Sequence, residues 1–181
     1  IVGPVGPHRP FPVGSGKIQW GIEPDSLKGK LPAFIPDVPE ARQDWSDTLG
    51  EVLALDYDVG VIVDELQKAG ELDNTMIVLT GDNGANMPRG KTHCYDIAVR
   101  APMMIRWPAG IVNPGRVVDD FVAQIDLVPT WLEAAGLTPP AEMDGRSLMP
   151  LLKSDKSGVI DASRDHVVVG RERHEASVRP D

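Results

Sequence analysis

The sequence predicts an α/β fold in which a mostly parallel sheet is flanked by helices. Two apolar runs, at residues 76–79 and 103–105, have the length and composition of buried strands, and each is followed by turn residues. A long segment with apolar residues at spacings of three and four precedes the first run. Strand and helix signals therefore alternate along the chain, which is typical of an α/β layer.

The first half of the chain is predicted to be an irregular connection followed by one long helix. Residues 9–36 contain many Pro, Gly and Lys residues without a clear period. Asp37, Pro39 and Glu40 have the spacing of a capping box that opens a helix, and Gly70 stands at its C′ position. An apolar stripe along this helix predicts core packing. The stripe consists of Trp45, Leu49, Val52, Leu55, Val59, Ile62, Leu66 and Ala69.

The second half is predicted to contain three strands and two short helices. Strands are expected at residues 75–80, 102–107 and 166–169. Pro129 suits the first turn of a helix that ends before Gly136, and Asp126 is its expected N-cap. A helical apolar face follows Asp144 and comprises Leu148, Leu151 and Leu152. Trp107 and Trp131 are interpreted as packing residues.

The turn after the first strand carries the clearest chemical signal. Asp82 and Asn83 lie in the turn that ends the apolar run, and ligands in α/β sheets bind at the carboxyl ends of strands. Their side chains offer hard oxygen ligands, which suit Ca²⁺ or Mg²⁺ better than zinc. Taken alone, Asp82, Asn83 and Gly84 are also ordinary residues of a tight turn.

Composition excludes several classes of protein. The formal net charge of −9 and a pI near 4.9 argue against a nucleic-acid-binding protein. The single cysteine, Cys94, excludes an internal disulfide framework and a CxxC metal site. No apolar run approaches the roughly 20 residues needed to span a bilayer.

Several blocks of the sequence together resemble one family. T-G-D-N-G at 80–84 precedes K-T-H-C-Y-D-I-A-V-R-A-P-M-M-I-R-W-P-A-G-I at 91–111, V-A-Q-I-D-L-V-P-T-W-L-E-A-A-G-L at 122–137 and D-G-R-S-L-M-P-L-L at 144–152. Their order and spacing resemble the sulfatase family of the alkaline-phosphatase superfamily. P-H-R-P-F at 7–11 and G-R-E-R-H at 170–174 are most similar to its heparan N-sulfatase (sulfamidase) branch.

The resemblance implies roles for individual residues. Asp82 and Asn83 match two of the family's calcium ligands, with Mg²⁺ as a second candidate ion. Lys91 matches the cation against the sulfate oxygens, and His8 matches the histidine that reaches the sulfate or leaving group. Arg173 and His174 match a late segment that contacts substrate, although a basic loop without function is an equal contender. Taken alone, Lys91 also reads as a solvated lysine, and His8 has no evident function.

The family's nucleophile is a formylglycine made from Cys or Ser in a C/S-x-P/A-x-R motif. Cys94 is followed by Tyr95-Asp96-Ile97-Ala98, and no serine of the chain satisfies the pattern either. We therefore expect Cys94 to be a small buried residue. We expect residues 1–181 to be part of a sulfatase catalytic domain that lacks its N-terminal part and its C-terminal subdomain, and to be inactive alone. The formylglycine is expected on the missing N-terminal part.

The resemblance implies a hydrolase of sulfuric esters or sulfamates that acts on sulfated saccharides. It also implies a periplasmic, secreted or lysosomal location, and it leaves the oligomeric state undetermined. Two alternatives remain open at this point. One is a phosphoesterase or phosphonate hydrolase of the same superfamily, which shares the D-N-G turn. The other is a non-catalytic remnant that binds sulfated glycans.

Overall fold

The computed structural model describes residues 2–3 and 6–170. In chain order, its helices and strands are α1 (Ser15–Trp20), α2 (Pro39–Lys68), β1 (Ile77–Thr80), α3 (Asp96–Val99), β2 (Met103–Arg106), α4 (Leu127–Ala134) and α5 (Met149–Lys153). Short 3-10 turns lie at Pro24–Leu27, Leu72–Asn74 and Gln124–Asp126. The α/β class is confirmed, with a small sheet. Among the described residues, no helix is both long and apolar enough for a bilayer span.

Two units make up the described part of the chain. The first comprises the chain up to residue 72 together with residues 82–101, and it contains α1, α2 and α3. The second comprises residues 73–81 and those from 102 onward, and it contains both strands with α4 and α5. The Asp82 turn, Lys91 and His8 all belong to the first unit.

Helix α2 begins at Pro39 with Val38 as its N-cap, and no side chain caps it. The predicted capping box was therefore wrong. The carboxylate of Asp37 instead accepts hydrogen bonds from the Arg42 guanidinium at 2.7 Å and the Gly29 amide at 2.8 Å. The hydrogen bond from Arg42 is the main reason that the pKa of Asp37 lies below its usual value, and the bond from Gly29 adds to this effect.

The predicted end of α2 is confirmed. Gly70 has a φ of 72° and stands at the C′ position, and its amide donates to the Gln67 carbonyl at 3.1 Å. The Glu71 amide donates to the Leu66 carbonyl at 3.0 Å. This pair of bonds is a Schellman motif, which favours glycine because the left-handed backbone is strained for other residues.

The connection predicted to be irregular before α2 contains the short helix α1. Helices α1 and α2 lie in close contact at two glycines. A side-chain carbon on Gly16 would collide with the Ser46 backbone, and one on Gly50 would collide with the Gly16 backbone. The buried Asp47 carboxylate on α2 accepts the amides of Gly14 at 3.0 Å and Gly16 at 2.9 Å. A helix surface of small and acidic residues thus holds α1 in place.

The apolar stripe of α2 was expected to form core, and this expectation was wrong for the described residues. The buried positions of α2 are Arg42, Ser46, Asp47 and Gly50. Val52 and Ile62 of the stripe remain 45% and 37% exposed. An apolar period predicts a helical face, but it does not by itself supply a surface that buries that face.

The two strands of the second unit form an antiparallel pair. Ile77 lies opposite Arg106, and Thr80 lies opposite Met103. Both predicted strands are thus confirmed, whereas the parallel direction expected for the first is not found in this pair. The reason is that an apolar run indicates burial but carries no information about the direction of its neighbour.

The core of the second unit matches the prediction for its helices. Leu127 of α4 clusters with Leu148, Leu151 and Leu152, and all four are at least 91% buried. Met76 and Val78 pack against this cluster from the strand side. Trp107 also packs against it, but Trp131 is 41% exposed, so the packing role expected for both tryptophans holds only in part.

Two further expectations for the second unit were wrong. Asp126 occupies the N-cap position of α4, but its side chain does not cap the helix. It forms a buried ion pair with Arg164, whose Nη1 atom lies 3.0 Å away. Residues 166–169 form no strand, and Val168 is 90% exposed. A run of three valines favours an extended backbone, but it forms a strand only where a neighbouring strand is available to pair with it.

Candidate active site

The Asp82 turn packs directly against helix α3. The Gly84 amide donates to the Ala98 carbonyl at 2.9 Å, and a side-chain carbon on Gly84 would collide with the Ile97 carbonyl. Glycine at this position is therefore required by the close approach of two backbones. Asp82 itself is exposed and Asn83 is half-buried.

Residues 85–92, here called the Lys91 loop, form a closed set of turns. The Lys91 amide donates to the Ala85 carbonyl at 2.9 Å, and the Gly90 amide donates to the Met87 carbonyl at 2.8 Å. Thr92 has a φ of 78°, which is unusual for a β-branched residue and costs on the order of 1–3 kcal/mol. Such strain clusters at functional sites, and here it directly follows Lys91.

His8 and Arg9 lie on the segment before α1. The His8 Nδ1 atom lies 2.6 Å from the Arg9 carbonyl oxygen. Because a carbonyl only accepts hydrogen bonds, we assign the proton of the neutral ring to Nδ1. The Nε2 atom is then the acceptor of the neutral ring, and it becomes a donor when the ring is protonated.

The structure places all four of the residues predicted for catalysis and metal binding in the first unit. Among its described residues, no hydrogen bond or ion pair joins His8, Asp82, Asn83 or Lys91 directly to another of the four. The link runs through Arg9, which contacts the Lys91 loop at Asn86 and Met87. The two predicted substrate-binding residues, Arg173 and His174, lie outside the described residues.

The Asp82–Asn83 pair fits part of a hard-cation site. Within residues 2–3 and 6–170, no hydrogen bond or ion pair to another protein group involves either side chain. The same residues contain no group of three or more His, Cys, Asp or Glu side chains that could hold a metal ion. Calcium takes 6–8 oxygen ligands, so this pair supplies a minority of a coordination shell.

Cys94 is exposed, which contradicts the buried position expected for it. Its neighbours explain the difference, because residues 93–95 cross the surface before α3. His93 and Tyr95 lie with their ring centres 6.0 Å apart, and the Arg89 guanidinium lies 5.8 Å from the Tyr95 ring. These ring contacts shape the surface around Cys94, so the thiol is not needed for packing.

Replacing Cys94 with serine should leave turnover by the whole protein within about twofold of wild type, since exposed substitutions of similar size rarely disturb a fold. The C/S-x-P/A-x-R motif is absent around Cys94, so we do not expect the thiol to be the precursor of a nucleophile. Steady-state assays of wild type and Cys94→Ser at equal protein concentration measure the effect. Abolished turnover in a folded variant would show that Cys94 itself reacts.

Comparison with known proteins identifies the family. The family model described as Sulfatase matches residues 2–137, so the chain belongs to the sulfatase family. The human N-sulphoglucosamine sulphohydrolase is 31% identical over 140 residues, which cover 72% of this chain and 28% of that protein. This chain therefore spans less than a third of the length of that relative.

Two solved structures share the fold. One is a protein in complex with its substrate, D-glucosamine-2-N,6-O-disulfate. The match has a TM-score of 0.60 and 31% sequence identity, and it covers 75% of this chain and 28% of that protein. The other is the phosphonate monoester hydrolase of Silicibacter pomeroyi, with a TM-score of 0.58 and 30% identity, covering 80% of this chain and 32% of that one. Both proteins are thus similar to this chain in sequence as well as in fold.

Arg9 is a residue that sequence reasoning did not single out. Its partner Asp44 lies far away in the sequence and on the predicted helix, and its other partners are a carbonyl oxygen and a sulfur. No local pattern connects such groups. The only available signal was its place within P-H-R-P-F, directly after His8.

Proposed function

We propose that the protein containing this chain hydrolyses sulfuric esters or sulfamates of sulfated saccharides, with N-sulfated glucosamine as the first candidate substrate. Membership of the sulfatase family is the observation that carries the proposal. A relative named N-sulphoglucosamine sulphohydrolase and a fold neighbour that binds a glucosamine disulfate support the choice of substrate. The proposed location is outside the cytosol.

Each candidate residue has a defined task in this chemistry. Asp82 and Asn83 would contribute oxygen ligands to a divalent cation, Ca²⁺ first and Mg²⁺ second, which stabilises negative charge on the sulfate oxygens. The ammonium of Lys91 binds a sulfate oxygen and opposes the charge that develops there. Arg173 and His174 are proposed to contact the saccharide. The family's formylglycine would supply the nucleophile, from a part of the protein outside this chain.

His8 is the residue that we propose donates a proton to the leaving group. With its Nδ1–H directed at the Arg9 carbonyl, only Nε2 remains to face the substrate. In the protonated ring, Nε2 can donate to the leaving oxygen or nitrogen as the bond to sulfur breaks. In the neutral ring, it can accept a proton but cannot donate one.

Replacing Lys91 with alanine should lower kcat by roughly a hundredfold or more, the usual effect of removing one electrostatic contact to a transition state. Among the described residues, no acidic group pairs with its ammonium, so the charge is available to substrate. The assay uses the whole protein with glucosamine carrying N- and 6-O-sulfate. Lys30→Ala, an exposed lysine of the same unit, is the control and should retain wild-type turnover. Equal kcat values for the two variants would remove Lys91 from the reaction.

A phosphonate hydrolase is the second candidate function. The likeness to the phosphonate monoester hydrolase of Silicibacter pomeroyi favours it specifically. Both chemistries need a divalent cation and fixed positive charge around a tetrahedral anion. Parallel assays with a sulfate monoester and a phosphonate monoester of the same leaving group discriminate the two. A kcat/KM that is higher for the phosphonate would reject the sulfatase assignment.

A further inference from the structure

Arg9 contacts three segments of the first unit with one guanidinium group. Its Nη1 and Nη2 atoms each donate to a carboxylate oxygen of Asp44 on α2, both at 2.5 Å. Its Nε atom donates to the Asn86 carbonyl at 3.1 Å, and its Nη2 atom lies 3.6 Å from the Met87 sulfur. The group thus joins the segment before α1, helix α2 and the Lys91 loop.

The bond to Asp44 fixes both the charge and the orientation of the guanidinium. Two parallel N–H···O bonds define the plane of the group, and the hydrogen bonding raises the pKa of Arg9 above its ordinary value. The guanidinium also lies 4.9 Å from the centre of the Phe11 ring. The side chains of Arg9 and Asp44 are 31% and 40% exposed, so the pair adds little to stability and acts mainly through geometry.

The anchored atoms are coupled to Lys91 through the backbone of its loop. The Met87 amide and the Lys91 amide both donate to the Ala85 carbonyl, each at 2.9 Å, and the Gly90 amide donates to the Met87 carbonyl. A restraint on Asn86 and Met87 therefore restrains the whole turn. The carbonyl of Arg9 meanwhile holds the ring of the neighbouring histidine.

We propose that Arg9 is a positioning residue that sets the place of Lys91 relative to His8. Its side chain holds the Lys91 loop on α2, while its backbone orients the His8 ring. The inference rests on the proposed role of Lys91 at the sulfate. Lysine cannot substitute, because a single ammonium on a flexible stem cannot bind Asp44 with two parallel bonds and Asn86 at the same time.

Loss of the two parallel hydrogen bonds between Arg9 and Asp44 should lower kcat more than it changes KM. Displacing a catalytic group by about 1 Å can cost on the order of 100-fold in rate. We expect Arg9→Lys and Arg9→Gln to lower kcat by about 10- to 100-fold while changing KM by less than about threefold. Asp44→Asn should lower kcat by a smaller factor, since it weakens the bidentate pair with Arg9 but leaves Arg9 in place.

The first measurement is amide hydrogen exchange in the whole protein. Arg9→Lys should accelerate exchange at Met87, Gly90 and Lys91 by about tenfold or more, because the local opening of the loop becomes easier. Lys17→Gln is the matched control, since it breaks an exposed ion pair of the same unit, with Glu23 at 3.0 Å. The control should change neither exchange in the Lys91 loop nor kcat.

The second measurement is a double-mutant cycle between Arg9→Gln and Lys91→Ala. If Arg9 acts through Lys91, Arg9→Gln should cost little further activity once Lys91 is absent. Independent, multiplying losses would overturn the positioning role, as would unchanged exchange with full kcat in Arg9→Lys. If Arg9→Gln does not fold, Asp44→Asn takes its place in the cycle with the same two outcomes. A wild-type protein that hydrolyses no sulfated substrate would instead reject the proposed function, and the exchange measurement would still decide whether Arg9 holds the loop.

Discussion

Replacing Asp82 with alanine should abolish most hydrolysis by the whole protein and weaken its divalent-cation binding by more than about 100-fold. The magnitude follows from metal sites in general, where removing groups that merely support a ligand already costs about 10- to 100-fold. Asp82 supplies a full negative charge, it lies two residues after the end of β1, and its carboxylate has no other protein partner among the described residues. Asp82→Asn keeps an oxygen but loses the charge, so its affinity should lie between those of wild type and alanine.

Calorimetric titration with Ca²⁺ and with Mg²⁺ measures this effect independently of catalysis. Asp96→Ala is the control, because Asp96 is an acidic residue of the same unit whose side chain is 83% exposed. Its cation affinity and turnover should match wild type. If Asp82→Ala bound the cation as tightly as Asp96→Ala, Asp82 would be a turn residue and not a ligand.

Replacing Arg164 with alanine should destabilise the second unit by about 3–5 kcal/mol, the usual cost of leaving one member of a buried ion pair unpaired. The side chains of Arg164 and Asp126 are only 5% and 8% exposed. Arg164 also donates to the carbonyls of Arg146 and Ser147, at 2.7 and 2.8 Å. Its loss would therefore remove the positive charge beside a buried carboxylate and the donor of two partly buried carbonyls, although the Ala123 and Arg146 amides would still bind Asp126.

The free energy of unfolding in urea measures this cost. Arg100→Ala serves as the control, because its ion pair with Asp96 spans 3.9 Å and both side chains are more than 80% exposed. That variant should change the free energy of unfolding by less than about 0.5 kcal/mol. A paired Asp126→Leu, Arg164→Leu variant should recover much of the loss, since it removes both charges from the interior. A small effect of Arg164→Ala would show that water reaches the pair.

The predicted elements that the structure reproduces depend on neighbours in the sequence. Gly70 ends α2 because the left-handed backbone of its C′ position is defined by residues 66–71 alone. Pro129 stands in the first turn of α4, and Leu148, Leu151 and Leu152 share one helical face that packs in the core. The Asp82 turn and Lys91 remain predictions from family resemblance, and their tests are the variants above.

The failed expectations for Asp37 and Asp126 depend on side-chain contacts that the local sequence pattern does not specify. Asp37 was assigned to a capping box, but Arg42 and the Gly29 amide bind its carboxylate. Asp126 was assigned to a cap, but its side chain binds Arg164 across the interior of the second unit. In both cases a local role was open to the carboxylate, and a stronger charge-assisted bond from the folded chain replaced it.

By itself, the sequence determined the family, the α/β class, the positions of β1, β2, α2, α4 and α5, the end of α2 and the leucine cluster. These features rest on local backbone preferences, on periodic burial or on motifs in a defined order. Only the tertiary structure decided the antiparallel pairing of β1 with β2, the exposure of Cys94 and the link from Arg9 to Asp44 and Asn86. Each of these depends on which distant segment lies alongside, and the distance in space between two segments is not encoded in the pattern of either one.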